Sequence, residues 1–266
     1  MKAILLVIAL WAPWQTAMAT ERILALAPHI CETLYAIGAQ DEIVGAVSYC
    51  DYPSEALSIP RVGNYQQLNV EAALRLNPTM VIVMDRNMNG LQLLESKGVQ
   101  VVESYPHDID GVLNDIRRLG TVTGHEKQAN RVADALELRL EKVRSLSQEK
   151  LPVFYEIWSS PLITPGRRSF ISSLLKEAGA TNVFDRIDLD TARVNVEGVM
   201  QAAPRAVIIP TEARNVKDRK RFWQQWLGDQ IPLIVVKHDL MHRPGPRLLD
   251  GLEQLQQALQ GVGDGQ

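Results

Sequence analysis

The 266-residue sequence contains only two cysteines and five histidines. The histidines are scattered, and no group of them has the spacing of a structural or catalytic metal site. His29, His107 and His242 each follow a predicted strand, so the sequence leaves open whether these three side chains lie close together. The sequence also lacks a phosphate-binding glycine loop and the G-x-S-x-G, H-E-x-x-H and C-x-x-C motifs. These absences argue against an enzyme and against a bound metal.

An excess of basic residues is also missing. The chain has 28 Lys and Arg against 31 Asp and Glu, a formal net charge of −3. Because nucleic-acid sites are usually basic, we do not expect nucleic acid as a partner. The composition, 46% hydrophobic and 22% charged, is typical of a globular protein with material for one or two cores.

Long apolar runs are absent beyond the first 19 residues. The N-terminus carries Lys2, an apolar stretch over 3–14 and the small-x-small site Ala17-Met18-Ala19. This pattern is typical of a secretory signal peptide and is too short for a membrane span. We predict a signal peptide over 1–19 and a soluble, exported mature protein. In an oxidising compartment Cys31 and Cys50 could form a disulfide, the alternative being two small buried residues.

One short pattern occurs twice. The segments 69–83 and 195–209 both read Asn-x-Glu, then Pro, then a buried apolar run, at identical spacing. Each copy predicts a short helix with an Asn cap, ended by the Pro and followed by a strand. The repetition predicts two similar lobes, with Glu71 and Glu197 at matching positions. A glutamate in the first turn complements the helix dipole, which stabilises a helix by about 0.3–1 kcal/mol. This explains each glutamate separately, but not why both stand at the same position of the repeated segment.

Predicted strands and helices alternate along the chain, which favours an α/β fold with mainly parallel sheets. The alternation stops over 108–149, where helical periodicity dominates and one charged helix, from about 126 to 148, contains no Gly or Pro. We therefore predict an N-terminal lobe over 20–107, a bridging helical segment over 108–149 and a C-terminal lobe over 150–260. A disordered tail is predicted over 261–266.

Aromatic and other bulky side chains follow several predicted strands. In parallel α/β sheets ligands bind beyond the carboxyl ends of the strands, so these side chains would line a cleft between two lobes. Such a lining suits a large, flat, partly apolar ligand, although any one residue could instead pack beneath its own loop. Arg243 is a candidate donor to ligand amide or phosphate oxygens. The bulky residues are Tyr49, Tyr52, Tyr65, Met84, Tyr105, His107 and Trp158.

Several short motifs occur along the mature chain. The most specific is Tyr49-Cys50-Asp51-Tyr52-Pro53. The others are Leu26-Ala27-Pro28 with Glu32, the two Asn-x-Glu copies, and the segment 239–243 followed by Pro246-Arg247. With these motifs the chain resembles, over nearly all of its mature length, the periplasmic cobalamin-binding proteins of ABC importers. The Asn-x-Glu and Pro-strand elements belong to the wider helical-backbone class of substrate-binding proteins, which also takes haem and siderophores.

The resemblance implies two Rossmann-like lobes bridged by one long α-helix. Cobalamin would lie between the lobes as transported cargo, with no catalytic cofactor. Tyr49 matches the ligand-stacking tyrosine of the family, segment 239–243 matches its second binding segment, and Tyr65 and Met84 stand where the family often has Trp. The predicted ligand-binding residues are Tyr49, Tyr65, Met84, Trp158, Asp239, Leu240, Met241, His242 and Arg243.

The resemblance also implies partners. Glu71 and Glu197 match the two glutamates that dock onto arginines of a BtuC-like inner-membrane permease, which works with an ATPase. The chain is expected to be a monomeric, non-enzymatic periplasmic protein. It departs from the family at Ala178, where some relatives carry a disulfide-forming Cys, and near Thr191, where an aromatic residue is expected.

Two alternatives stay open. The same fold could bind a ferric siderophore or haem. Siderophore sites usually need several cleft arginines, and the obvious candidates here are Arg86, Arg193 and Arg243. Haem would need an axial ligand such as His29 or Tyr49. An exported α/β enzyme is less favoured because no nucleophile–base signature is present.

Overall fold

Two separate parallel sheets, one in each half of the chain, form the framework of the molecule. The computed structural model describes residues 21–64, 67–147, 150–211 and 216–263. The predicted signal peptide lies outside these residues. The α/β class and the two-lobe architecture predicted from the repeated segment are confirmed.

The N-terminal lobe has a four-stranded parallel sheet in the order β2-β1-β3-β4. Leu24 of the central strand lies opposite Gly45 on one side and Val81 on the other. Leu24 faces the outer helices, whereas Ile23 and Ala25 face the centre of the molecule. Both faces of the two central strands, Ile23–Ala25 and Met80–Val83, are covered, which is why these two strands are apolar throughout. The elements are β1 (Ile23–Ala25), α1 (Pro28–Ala36), β2 (Ile43–Ala46), α2 (Val70–Arg75), β3 (Met80–Val83), α3 (Leu91–Ser96) and β4 (Gln100–Glu103).

The bridging segment consists of two helices, and the longer one corresponds to the charged helix predicted from about 126 to 148. Its elements are α4 (Ile109–Val122) and α5 (Glu126–Leu146). Between them Gly124, with φ of 75°, occupies the left-handed conformation that commonly ends a helix. Arg144 of α5 then bonds Asp110 of α4 at 2.9 Å and Glu177 of the C-terminal lobe at 2.8 Å. The long helix is therefore attached to elements on both sides.

The C-terminal lobe repeats the parallel sheet, in the order β11-β10-β5-β8. It adds a small antiparallel sheet, β6-β7-β9, which the sequence did not predict because its strands have only two to four residues. The elements are β5 (Leu151–Tyr155), β6 (Trp158–Ser159), β7 (Leu162–Pro165), α6 (Phe170–Glu177), β8 (Ala180–Asn182), β9 (Thr191–Arg193), α7 (Val196–Ala202), β10 (Ala206–Pro210), α8 (Val216–Leu227), β11 (Leu233–Val236), α9 (His238–Met241) and α10 (Leu248–Gly263).

The C-terminal helix α10 packs along α5. Arg139 of α5 reaches Asp250 of α10 at 2.7 Å. The helix continues to Gly263, which corrects the prediction of a disordered tail from residue 261. Leu259, near the end of this helix, is buried. This apolar contact stabilises the last turns and lets the helix continue past Gly261, where the sequence suggested an end. Residues 264–266 lie outside the described part of the chain.

The largest apolar cluster is shared by both lobes. It includes Leu34 of α1, Leu136 of α5, Val153 of β5 and Leu252 of α10. Separating the lobes would expose this apolar surface to water, at a free-energy cost of about 25 cal/mol per Å². The shared core therefore opposes wide opening. Among the described residues, no helix is both long and apolar enough to span a membrane.

Candidate functional site

The lobes meet through charged side chains at the carboxyl ends of their sheets. Arg243 lies after β11 and α9, whereas Glu32 follows β1 and Asp51 follows β2. Arg243 Nη1 donates to Glu32 Oε1 at 3.0 Å and to Asp51 Oδ1 at 2.7 Å, and its Nη2 lies 2.8 Å from Asp239 Oδ1. The carboxyl ends of both sheets therefore border one inter-lobe region, the place where parallel α/β sheets bind ligands.

A second arginine joins the same group. Arg247 donates from Nε to Glu32 Oε2 at 2.9 Å and from Nη2 to Glu32 Oε1 at 2.5 Å. Its guanidinium also lies 3.7 Å from the ring centroid of Tyr52, close enough for a cation–π contact. Glu32 is only 4% exposed. We call Glu32, Asp51, Asp239, Arg243 and Arg247 the inter-lobe charge cluster.

The inter-lobe charge cluster contains two guanidiniums and three carboxylates, so its net charge is −1. Burial alone lowers the pKa of Arg243, but the hydrogen bonds to Asp51 and Glu32 outweigh it and raise that pKa. Burial alone raises the pKa of Asp51, but Arg243 outweighs it and holds that pKa below its usual value. Asp51 and Arg243 are thus charged near neutral pH, and the positive charge of Arg243 is already paired.

Tyr49 stands beside this cluster in an exposed turn. Its side chain is 64% exposed, and its φ of 68° is in the left-handed region that non-glycine residues seldom adopt. The next residue, Cys50, is bonded to Cys31 of α1, with Cα atoms 6.0 Å apart. The disulfide and the strained turn hold an aromatic ring out from the end of β2, where it is available for stacking.

Segment 239–243 divides into exposed and buried parts. Asp239 is partly exposed, whereas Leu240 and Met241 are buried against the core. The one-turn helix α9 turns this apolar face inward, and ligand contact by the side chains of Leu240 and Met241 stays a prediction. Nε2 of His242 shares a hydrogen bond of 2.9 Å with the hydroxyl of buried Tyr155. Arg243 is bound within the charge cluster.

The remaining predicted contact residues differ in exposure. Trp158 is 59% exposed, and its Nε1 donates to the carbonyl of Ser160 at 2.8 Å, which fixes the indole. Met84 is half-buried and packs against the core. Tyr105 is exposed and stacks edge-on with His107 at 4.6 Å between ring centroids. Tyr65 lies outside the described residues.

Among the histidines, His238 and His242 are in ring contact, with centroids 4.0 Å apart. His29 is buried, with Nε2 at 3.1 Å from the Ser104 carbonyl, and burial lowers its pKa to about 4. It is therefore closed to a haem iron, which removes one axial ligand considered from the sequence. Burial and neighbouring His238 lower the pKa of His242 to about 3. Within the described ranges, no group of three or more His, Cys, Asp or Glu residues is arranged to hold a metal.

Glu71 and Glu197 occupy equivalent exposed positions. The Asn69 side chain accepts from the backbone N–H of Ala72 at 3.0 Å, and the Asn195 side chain accepts from Gly198 at 2.9 Å. Both glutamates sit in the first turn of the capped helix and point to solvent. The predicted N-cap geometry is present in both lobes.

A polar cavity of about 740 Å³ opens beside the inter-lobe charge cluster. Tyr52 contributes the N-terminal-lobe side of its wall, and the C-terminal lobe contributes amide, carboxylate and ammonium groups. Its lining includes Tyr52, Thr211, Lys237, Asp239, Arg247 and Gln254. The site therefore offers both hydrogen-bond acceptors and donors next to exposed aromatic rings.

Reasoning from the sequence missed three members of the site: Glu32, Asp51 and Arg247. Each stood inside a motif that carried the family resemblance, but none was assigned a role. The available signal was charge in segments that follow strands. It was insufficient because the partners are separated by up to 215 residues.

A parallel-sheet, two-lobe fold with an inter-lobe site defines a class of binding proteins. The periplasmic binding protein family model matches residues 23–226, and the chain belongs to this family.

Among curated relatives, the vitamin B12-binding protein of Pectobacterium carotovorum is 28% identical over 251 residues, covering 92% of this chain and 90% of the relative. The vitamin B12-binding protein of Vibrio cholerae is 29% identical over 243 residues, covering 88% and 87%. The crystal structure of the periplasmic vitamin B12-binding protein BtuF of Vibrio cholerae matches with a TM-score of 0.82 and 28% identity, covering 91% of this chain and 98% of that one.

The fold is also that of a haem-binding relative. The periplasmic heme-binding protein RhuT of Roseiflexus sp. RS-1 matches with a TM-score of 0.81 at 22% identity, covering 92% of this chain and 99% of that one. At this identity the match concerns the fold alone.

Proposed function

We propose that the protein is a periplasmic substrate-binding protein that captures cobalamin or a related corrinoid and passes it to an ABC importer. The observation that carries the proposal is the contact of Arg243 with Asp51 at 2.7 Å, which joins the Tyr49 turn of one lobe to segment 239–243 of the other. These are the two segments that match the ligand-contacting parts of the cobalamin-binding family. The curated relatives named vitamin B12-binding proteins support the same ligand.

The charge of the site favours cobalamin over haem or a ferric siderophore. Cobalamin presents neutral amide groups around its ring, whereas haem carries two carboxylates and many ferric siderophores are anionic. An anionic ligand would approach a cluster in which three carboxylates already neutralise both arginines. Carboxylate oxygens of Asp51 and Asp239 instead suit ligand N–H donors.

Binding is tested by calorimetry and by absorbance titration of the mature protein with cyanocobalamin, cobinamide, haem and a ferric siderophore. We expect heat and a spectral change with the corrinoids. Tyr49→Ala should weaken corrinoid binding about tenfold by removing the stacked ring. The control Leu138→Ala, at an exposed position on α5, should leave it unchanged. Saturable haem binding without corrinoid binding would contradict the proposal.

In this proposal the protein is a monomeric carrier without enzymatic activity, and Glu71 and Glu197 dock it onto arginines of an inner-membrane permease. Both side chains are exposed, one on each lobe, on helices with the same cap. A pair of fixed negative charges is a suitable recognition signal for a partner with two basic pockets.

The docking role predicts a separation of binding from transport. The double variant Glu71→Ala/Glu197→Ala should lose transport by about a hundredfold, since two charge pairs at an interface are removed, and should keep corrinoid affinity. Uptake into cells and calorimetry on the purified variant measure the two properties. Weakened corrinoid affinity would instead assign the glutamates to the ligand site.

A further inference from the structure

Glu32 is a buried acid whose partners all come from the other lobe. It accepts hydrogen bonds from Arg243 Nη1 and from Arg247 Nε and Nη2. A buried carboxylate that loses its partners is strongly destabilised. The position of the C-terminal lobe relative to α1 is therefore linked to the charge state of one N-terminal-lobe side chain.

The disulfide places the second acceptor. Cys31 directly precedes Glu32, and Cys50 directly precedes Asp51. The bond between the two cysteines therefore brings the turn after β2 against α1. As a result Arg243 meets two carboxylates from different segments of the same lobe.

The backbones of the two lobes also approach closely at this point. A side-chain carbon added to Gly245 would lie 3.4 Å from both Cβ and the carbonyl oxygen of His29. These are ordinary van der Waals distances, so the loop that carries Arg243 and Arg247 lies against the start of α1. The charge cluster is thus part of a packed contact rather than a pair of mobile surface chains.

We propose that Glu32, with Asp51 held beside it by the Cys31–Cys50 disulfide, is the anchor of a latch that fixes the C-terminal lobe through Arg243 and Arg247. The latch sets the spacing of the lobes around the ligand. It also holds the guanidinium of Arg243 on protein carboxylates, so that Arg243 is a positioning residue and not a donor to ligand phosphate. Only the predicted effect on affinity rests on the proposed function.

The test compares Glu32→Gln with Glu95→Gln by hydrogen–deuterium exchange on the intact mature protein. Both changes remove one carboxylate charge from the same lobe, but Glu95 pairs with Arg86 on the surface of that lobe. We expect amides in 238–248 to exchange about tenfold faster in Glu32→Gln, with little change in α8, and no change in Glu95→Gln. Corrinoid affinity should fall about tenfold in Glu32→Gln only.

Unchanged exchange over 238–248 in a folded Glu32→Gln protein would overturn the latch. If that variant does not fold, Asp51→Asn takes its place, because the Asp51 side chain is 42% exposed and tolerates the change. It should show the same segment-specific increase, and an unaltered rate counts against the latch.

The disulfide is tested separately. Cys31→Ala/Cys50→Ala should also speed exchange over 238–248, and an unaltered rate would remove the disulfide from the proposal. If the wild-type protein fails to bind corrinoids, the proposed function is lost, but the exchange measurements still decide whether the latch exists.

Discussion

The two lobes share a surface motif but differ in how they accommodate a buried acid. Helices α2 and α7 are capped in the same way by Asn69 and Asn195, and each exposes a glutamate. The buried acids of the two lobes have different partners. Glu32 of the N-terminal lobe binds arginines of the other lobe, whereas Glu156 of the C-terminal lobe finds its partners in its own lobe.

Glu156 is 1% exposed and lies just after β5. It accepts two hydrogen bonds from Arg219, at 2.9 and 2.6 Å, and one from Trp223 Nε1 at 2.7 Å. Both partners are on α8, so this acid attaches a helix to its own sheet. The buried charge of Glu156 is therefore neutralised within the C-terminal lobe, whereas that of Glu32 is neutralised by arginines of the other lobe.

The largest expected effect on stability is therefore in the C-terminal lobe. Glu156→Gln should lower the free energy of unfolding by about 3–5 kcal/mol, because it leaves Arg219 without its buried counter-charge. Urea denaturation followed by tryptophan fluorescence measures it. Glu137→Gln, which removes an exposed partner of Arg117, should cost less than about 1 kcal/mol. A similar loss in both variants would show that Glu156 has no special role.

Buried histidine is the next difference to test. His29 has a folded-state pKa of about 4, against an ordinary value of 6.5. As pH falls below 6.5 the unfolded chain takes up a proton that the folded protein refuses, so stability falls until about pH 4. His29 should then account for roughly 2–3 kcal/mol of the loss between pH 7.5 and 4.5.

Urea denaturation at the two pH values compares wild type, His29→Gln and His107→Gln. The His29 variant should lose less stability on acidification than wild type, and the variant of exposed His107 should behave like wild type. Burial also lowers the pKa of His242, and this contribution is common to all three proteins. Equal pH dependence in all three would mean that His29 is protonated in the folded protein.

The shared caps should give equal, smaller effects. Asn69→Ala and Asn195→Ala should each cost about 1 kcal/mol, because each removes one side-chain acceptor from a helix N-terminus. Thermal unfolding of both variants measures this, with Asn69→Asp and Asn195→Asp as controls that retain the cap. A clearly larger cost in one lobe would show that the two copies are not equivalent.

The smallest expected effect concerns the two exposed glutamates. Arg75 contacts Glu71 at 2.5 Å, whereas the corresponding position after Glu197 is Gln201. Under the proposed docking role, Arg75→Ala should release Glu71 and strengthen permease binding about two- to threefold, a free-energy change typical of an exposed helical pair. Surface plasmon resonance against the permease measures it. Gln201→Ala should have no effect, and a gain of the same size there would contradict the explanation.

Several features were accessible from local pattern because they depend on neighbouring residues. The capped helices, their terminating prolines and the buried strands follow from residue spacing alone, and the structure contains both copies. Other features depend on distant residues. The extra sheet β6-β7-β9 has strands too short for a periodic signal, and the burial of Leu240 and Met241 depends on which way a one-turn helix faces.

The amino-acid sequence alone specifies the α/β alternation and each copy of the capped helix, since each element depends on neighbouring residues, and the family resemblance rests on short motifs spread along the chain. The binding of Arg243 and Arg247 to Glu32, across 211 and 215 positions, is visible only in the folded molecule. No local propensity specifies such a pair, because its free energy depends on the burial and counter-charges that exist only after both lobes have packed together.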